Sequence, residues 1–305
     1  MTFFSVVIPV KDEAQSLPIL YNELTYVLEK LDKPYEVIFI DDGSIDSSNQ
    51  TLSKIKRKDT RVKLISFRAN FGKSAALAAG FKAAQGKTII MLDADLQDNP
   101  AEIPKLLAVL DKGYDLVSGW RYKREDISTK KISSFFFNKG TEILSGVILH
   151  DFNCGLKVLK KEVANELYLY GELHRFIPVL AAKKKFKVGE VKVSHRSREF
   201  GESKYGKFGI GRSWKGIMDL FTSIFLSDYA SKPAHFFGKL GLPLFGIGFF
   251  MDLYVVYIKL TTGTTQSKTP LLLAGILFMV LGLQLLSTGL IAEMITYYFY
   301  HRKER

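Results

Sequence analysis

The run TIIMLDADLQDNP, residues 88–100, closes a greasy stretch with Asp93 and Asp95, and Gln97 and Asp98 follow at once. Two carboxylates held together repel each other unless a positive charge sits beside them. Oxygen donors of this kind suit Mg2+ or Mn2+, hard ions that keep waters and reach substrate phosphates through one or two carboxylates. In an extended segment side chains alternate, so Asp93 and Asp95 are expected to point the same way. Taken alone, the pattern fits a solvated turn with helix-capping acids equally well, because DNPAEI also reads as a helix start. A second acidic pair, Asp41 and Asp42, ends the apolar run YEVIFIDD.

These acids need elements to hold them. FFSVVIPV, YEVIFIDD, RVKLISF and KTIIMLDAD read as strands. Between them, residues 16–31, 47–58 and the Ala-rich GKSAALAAGFKAAQG read as helices. Such alternation predicts an α/β fold with a parallel sheet. In sheets of that kind ligands bind beyond the carboxyl ends of the strands, which puts Asp41, Asp42, Asp93 and Asp95 along one edge. Gly72, Lys73 and Ser74 imitate the end of a phosphate-binding P-loop. That motif requires a glycine five residues before Gly72, and Phe67 stands there, so the reading fails.

The C-terminal third differs in kind. Residues 271–292 carry no charge, enough for a helix of about 33 Å at ~1.5 Å per residue. A less clean apolar stretch, residues 236–258, is interrupted by Lys239 and Asp252. We read two membrane spans joined by the polar KLTTGTTQSKTP, with Asp252 expected near the outer interface or against the other span. Basic residues sit at both outer ends, in Lys204–Lys232 and in the terminal HRKER, which places both termini in the cytoplasm. Residues 205–232 carry an apolar stripe (Ile210, Trp214, Ile217, Phe221, Phe225) at helical spacing, expected to lie in the headgroup plane. The expected organisation is therefore a cytoplasmic domain over 1–204, interfacial helices over 205–232, and spans with a short basic tail over 233–305. Formal net charge is +12, which suggests nucleic acid, an anionic membrane surface or phosphorylated substrates as partners. Cys154 is the only cysteine, so there is no intrachain disulfide and no thiol-built metal cage. MTFFSVVIPV lacks the basic start and cleavage site of a signal peptide, and is read as a strand.

In order and spacing these motifs resemble the family 2 glycosyltransferases of GT-A fold, specifically the polyprenyl-phosphate branch. VVIPVKDEAQSL, VIFIDDGSIDSS, RANFGKSAALAAG, MLDADLQDNP, SGWRYKRED, HDFNCGLKVLKKEV and SREFGESKYG carry the match across essentially the whole chain. The two C-terminal spans are similar to those of bactoprenol glucosyltransferases.

The resemblance implies a role for particular residues. Pro9, Val10, Glu13, Asp41, Asp42, Asp93 and Ala94 would line the nucleotide pocket, with Asp41 on the base. Asp93, Asp95 and Gln97 would hold Mg2+ or Mn2+, and Arg198 and Lys204 would close over the diphosphate. Arg121, Lys130, Lys131 and Ser134 would take the acceptor phosphate, although the family usually offers arginine where this chain has the two lysines. Asp151 is a candidate base or a positioning residue. The implied reaction is metal-dependent, inverting transfer of one sugar from a nucleotide sugar to a polyprenyl phosphate at the cytoplasmic membrane face, with no nucleic acid involved. UDP-glucose is the default donor and GDP-mannose the alternative. A processive polysaccharide synthase is disfavoured because its Gln-x-x-Arg-Trp motif is missing, and an inactive scaffold because the acids are intact. Homo-oligomers through the spans and interfacial helices stay open, since small residues are frequent there.

Overall fold

The computed structural model describes residues 2–122, 138, 141–142, 146–197, 200, 222, 232–265 and 268–302. The expected interfacial helices over 205–232 lie almost wholly outside the described residues, as do Lys130, Lys131, Ser134, Arg198 and Lys204. The chain divides into two compact units, residues 1–223 and 224–305.

In the first unit the described strands form one seven-stranded sheet in the order β3-β2-β1-β4-β6-β5-β7. They are β1 (Phe4–Val10), β2 (Tyr35–Asp41), β3 (Val62–Ser66), β4 (Thr88–Met91), β5 (Leu116–Arg121), β6 (Lys157–Lys160) and β7 (Val188–Val193). The first four run parallel, and β1 and β2 are buried almost throughout, as expected for strands covered on both faces. The sheet is not wholly parallel, which corrects the expectation from strand–helix alternation. β6 lies antiparallel to both β4 and β5, with Met91 opposite Lys157 and Ser118 also opposite Lys157. The reversed strand therefore starts at the edge where its neighbours end. It delivers the Cys154–Lys157 stretch to the acids, which an unbroken β-α-β winding would not do.

Helices cover both faces. α1 (Leu17–Lys30) buries Leu17, Leu20, Leu24 and Leu28, one stripe at spacings of three and four. Each such leucine contributes about 1.5–3 kcal/mol when fully buried. α2 (Ser48–Lys58) adds Leu52 and Ile55 to the same core, and α4 (Ile103–Leu110) adds Ile103, Leu106, Leu107 and Leu110. α4 is preceded by a 3-10 turn, Pro100–Glu102, whose start is capped by Asn99 Oδ1 accepting from Ala101 N at 3.0 Å. The helix start read in DNPAEI is thus present. On the opposite face lies α3 (Lys73–Ala83), where Gly80 lets the helix settle on Val7 and Ile40. α5 (Lys161–Glu166) follows β6, and a 3-10 turn, Leu173–Phe176, leads into α6 (Ile177–Lys183).

The described residues of the second unit form two helices, α7 (Pro233–Thr262) and α8 (Thr269–Arg302). Both are long and apolar enough to cross a membrane, and only 17% and 11% of their most apolar windows are buried inside the chain. Core helices of a soluble protein would be mostly covered. They pack antiparallel along glycines spaced seven apart: Gly241 and Gly248 of α7 against Gly282 and Gly275 of α8. Small residues at that interval keep one seam of each helix open to close backbone approach. A Cβ on Gly248 would stand 2.4 Å from the Gly275 carbonyl oxygen, and one on Gly282 2.6 Å from Phe245 N. Asp252 lies on this seam, over Gly275, which matches the expectation that it faces the other span. Across the hairpin, Glu293 Oε2 accepts from Ala234 N at 3.1 Å, an anion at a helix N-terminus.

Gly248→Val should therefore force the hairpin apart, since its Cβ would lie 2.4 Å from the Gly275 carbonyl oxygen and 2.7 Å from Met279 N. An overpacked seam costs about 1–3 kcal/mol. A cysteine pair placed across the seam should crosslink efficiently in the parent and poorly in the valine variant. Equal crosslinking would show that the seam tolerates a side chain.

Candidate functional site

The ends of β1, β2, β4, β5 and β7 and the start of β6 all reach one edge of the sheet. Two loops there are stitched together. Asp12 N donates to Ser44 Oγ at 3.0 Å, Ile45 N to Asp12 Oδ1 at 2.8 Å, and Glu13 N to Ser48 Oγ at 2.8 Å. Pro9 is half-buried and Val10 buried beneath them. The buried Asp41 accepts from Ser44 N at 2.9 Å and from Asn49 Nδ2 at 2.8 Å. Buried Asp42 accepts from Phe71 N at 2.7 Å and Gly72 N at 3.0 Å. In this arrangement Asp42 shapes the loop ahead of α3 and so fixes where Lys73 stands.

The strand bearing the DAD motif ends earlier than expected. β4 stops at Met91, and residues 92–99 form a turn in which Leu96 takes a φ of +63°. The directions of Asp93 and Asp95 are therefore set by that turn and its partners, not by the pleat of a strand. Asp93 is gripped by Lys73, whose Nζ lies 2.6 Å from Oδ1 and 2.7 Å from Oδ2. Asp95 Oδ1 accepts from Gln97 N at 3.2 Å, and Ala94 between the two acids is buried. Residues 195–196 run alongside this turn: His195 bridges Asp98, and Arg196 N donates to Gln97 O at 2.9 Å. The chain thus passes the acidic turn at His195 and Arg196.

Below the turn lies a packed group that the sequence did not single out. Asp98 is buried, and Cys154 Sγ is 3.8 Å from its Oδ1. Gly155 separates the acids: a Cβ there would stand 2.4 Å from Asp98 Oδ2 and 2.6 Å from Asp93 Oδ2. Lys157 is buried and donates from Nζ to the Cys154 carbonyl. His174 closes the side near α3, where Ser74 Oγ accepts from His174 N at 3.0 Å and lies 3.1 Å from its Nδ1. Signals for these residues were available: Asp98 in the LDADLQD run, Lys73 and Ser74 in the rejected GKS, and Lys157 in HDFNCGLK.

The electrostatics follow from burial and crowding. Burial and the neighbouring Asp93 carboxylate push Asp98 up to about 7. Burial would also raise Asp93, but Lys73 outweighs it and holds Asp93 below the usual carboxylate range. The same pairing keeps the Lys73 ammonium above its ordinary value despite burial. Burial and the nearby Lys73 push Lys157 down, and burial with Lys73 takes His174 well below its ordinary value. Burial and Asp98 raise the Cys154 thiol, which makes it a packing residue rather than a nucleophile.

At the end of β5, Arg121 meets Asp151 in a two-pronged pair, Nε to Oδ2 at 2.6 Å and Nη2 to Oδ1 at 3.0 Å. Both side chains are largely covered, at 12% and 4% exposure, so this is no screened surface ion pair. Asp151 Oδ1 also accepts from Asn153 N at 3.0 Å. Arg121 is thus paired through the fold with an acid thirty residues away.

The donor set at the turn fits a hard divalent ion. It is all oxygen, and Gly155 leaves the carboxylates the space a side chain would take. Among the described residues no three His, Cys, Asp or Glu side chains converge on one ion-sized point. The protein would then supply a minority of the ligands, as is usual where phosphate oxygens and water complete the shell.

The glycosyl transferase family 2 profile matches residues 5–168, just over half of the chain. A dodecaprenyl-phosphate galacturonate synthase of Rhizobium johnstonii is 35% identical over 96% of this chain and 88% of its own length. An undecaprenyl-phosphate 4-deoxy-4-formamido-L-arabinose transferase of Aeromonas hydrophila is 34% identical over 95% and 87%. Glucosyl-3-phosphoglycerate synthase of Mycobacterium tuberculosis, solved with Mn2+, UDP-glucose and phosphoglyceric acid, shares the fold at 16% identity. The TM-score is 0.57, over 76% of this chain and 82% of that one. The acid-bearing edge of a mixed α/β sheet, the GT-A neighbours and the profile, which covers every strand of that sheet but β7, agree, and the chain belongs to glycosyl transferase family 2.

Proposed function

We propose that this glycosyltransferase moves one sugar from a nucleotide sugar to a polyprenyl phosphate at the cytoplasmic face of a membrane, with inversion at the anomeric carbon. The observation that carries the reading is coverage: two polyprenyl-phosphate sugar transferases align over 96% and 95% of the chain. Such coverage takes in the apolar C-terminal helices as well as the acidic site. The two relatives carry different sugars in their names, so family membership leaves the sugar open. UDP-glucose and GDP-mannose are then two arms of a donor screen that also includes UDP-linked acidic and amino sugars.

Asp93 and Asp95, with Gln97, would hold Mg2+ or Mn2+, an assignment supported by the fold neighbour solved with Mn2+ and UDP-glucose. When bound, the ion offsets charge on the departing nucleoside diphosphate. Arg198 and Lys204 are assigned to that diphosphate as well, and the loops around Pro9, Glu13 and Asp41 to the nucleoside. On the acceptor side Arg121 offers its remaining guanidinium N–H groups to the lipid phosphate, with Lys130, Lys131 and Ser134 beside it. A phosphate monoester with a second pKa near ~6 is mostly dianionic at neutral pH. It attacks without a base, so we assign Asp151 the task of orienting Arg121. Arginine suits this place, since a planar fork held on one side by a carboxylate still presents donors on the other. The basic flanks support a cytoplasmic location for both termini.

The deciding experiment is the donor screen with undecaprenyl phosphate, scored by nucleotide release and by the mass of the lipid product. Nucleotide release with no glycosylated lipid would remove the acceptor assignment. Asp95→Asn, at the loop edge, should lower turnover by about two orders of magnitude or more with little change in thermal stability. Full activity in excess chelator would refute the metal assignment. Gly155→Ala should be nearly as damaging, because its Cβ meets the Asp93 and Asp98 carboxylates; a variant with parental turnover would show that the cradle is not needed. Arg121→Ala should raise the apparent KM for lipid phosphate far more than that for the donor, and leave slow donor hydrolysis by water intact. Equal damage to both constants would move Arg121 out of the acceptor site.

A further inference from the structure

Lys73 stands where nothing in local helix chemistry asks for a lysine. It is the first residue of α3, a helix with no acid in its first turn and no side-chain cap on its start. A cation is disfavoured at that end by the helix dipole, and exposed N–H groups there favour an anion. Asp42 rigidly sets the approach by accepting from Phe71 N and Gly72 N, so the position of Lys73 is built in. Its ammonium bridges both oxygens of Asp93, at 2.6 and 2.7 Å. A divalent ion on Asp93 would sit about 2.0–2.1 Å from one of those same oxygens. Two cations cannot share that bite without strong repulsion.

We propose that Lys73 is a resident counter-cation of Asp93 that makes divalent-ion binding depend on the donor. With no nucleotide present, the ammonium holds Asp93 and keeps the ion out. When a nucleoside diphosphate arrives, its phosphate oxygens accept the ammonium and the uncapped N-terminus of α3, and Asp93 is released to the ion. Ion and nucleotide then bind cooperatively, and by linkage each tightens the other by the same factor. Lys73 acts here on Asp93 in the free protein and on the diphosphate in the complex. The inference rests on the donor-site reading proposed above.

Mn2+ binding to the full-length protein in detergent, followed by electron paramagnetic resonance, tests it without recourse to turnover. Titrations are run alone, with UDP and with GDP, on the parent, Lys73→Met and Lys73→Arg. In the parent, the nucleotide that fits should tighten Mn2+ binding by about ten-fold or more. Lys73→Met should bind Mn2+ alone about ten-fold more tightly than the parent and lose most of the enhancement by nucleotide. Lys73→Arg keeps the charge and should behave as the parent does. Lys73→Gln, which retains a hydrogen-bond donor toward Asp93, repeats the neutral case should the methionine variant fold poorly. Neutral variants that bind free Mn2+ no more tightly than the parent, with nucleotide enhancement undiminished, overturn the role of Lys73 and leave the donor site standing. Absence of Mn2+ binding in every protein with either nucleotide overturns the donor-site reading and this proposal together.

Discussion

Like charges crowded at one edge of a sheet are the constraint around which the catalytic unit is built. Asp93, Asp95, Asp98 and Asp151 all reach that edge, and two of them come within the width of a single glycine of each other. Water would ordinarily screen such a group, but here Asp98 and Asp151 are covered. The protein answers in three ways. Lys73 and Arg121 pair with Asp93 and Asp151 directly. Lys157 lies buried among them as a further basic group, tied to the chain by the Cys154 carbonyl. Asp98, left facing Asp93, takes a proton more readily than an ordinary carboxyl. A cluster balanced this closely responds strongly to any new cation or polyanion, which suits the diphosphate-binding role proposed for it.

Topology makes that balance attainable. Strand β6 runs against its neighbours, so the chain enters it from the functional edge and carries Asp151, Cys154, Gly155 and Lys157 past the acids in seven residues. Sequence-distant loops are then locked by carboxylates used as structural clamps. Asp41 and Asp42 are adjacent, yet Asp41 holds the turn after β2 while Asp42 holds the loop before α3. An acid at a strand end can therefore serve the fold as fully as the chemistry. Here the two kinds stand side by side on one edge.

The membrane-type hairpin solves a different problem. Lipid offers no hydrophobic reward for helix pairing, so the two helices rely on close backbone packing. Their glycines are used within the chain, Gly241 and Gly248 against Gly282 and Gly275, and this places Asp252 on the inner seam rather than toward lipid. An intramembrane acid costs about 2.5–3.5 kcal/mol on insertion scales when central, which explains why it is turned inward. The small-residue content that suggested association between copies is thus at least partly accounted for inside one hairpin.

Periodicity alone determined much of this protein. The alternation of apolar runs marked the strands through β4 and helices α1 to α3, and unbroken apolar length marked α7 and α8, because burial of local stripes depends only on local spacing. The acids of IDDGS and LDAD were legible as strand-end residues for the same reason. What tertiary structure alone decided is which charge meets which. Lys73 lies twenty residues from Asp93 and Arg121 thirty from Asp151, and no local period connects either pair. The reversed direction of β6 was likewise invisible, since an antiparallel strand buried in the middle of a sheet shows the same apolar run as a parallel one. The turn after Met91, and not the pleat of a strand, sets the directions of Asp93 and Asp95, with Leu96 taking a positive φ that its residue type does not announce. Patterning along the chain sets what is buried, whereas partners across the fold set the charge each acid carries and what it can bind.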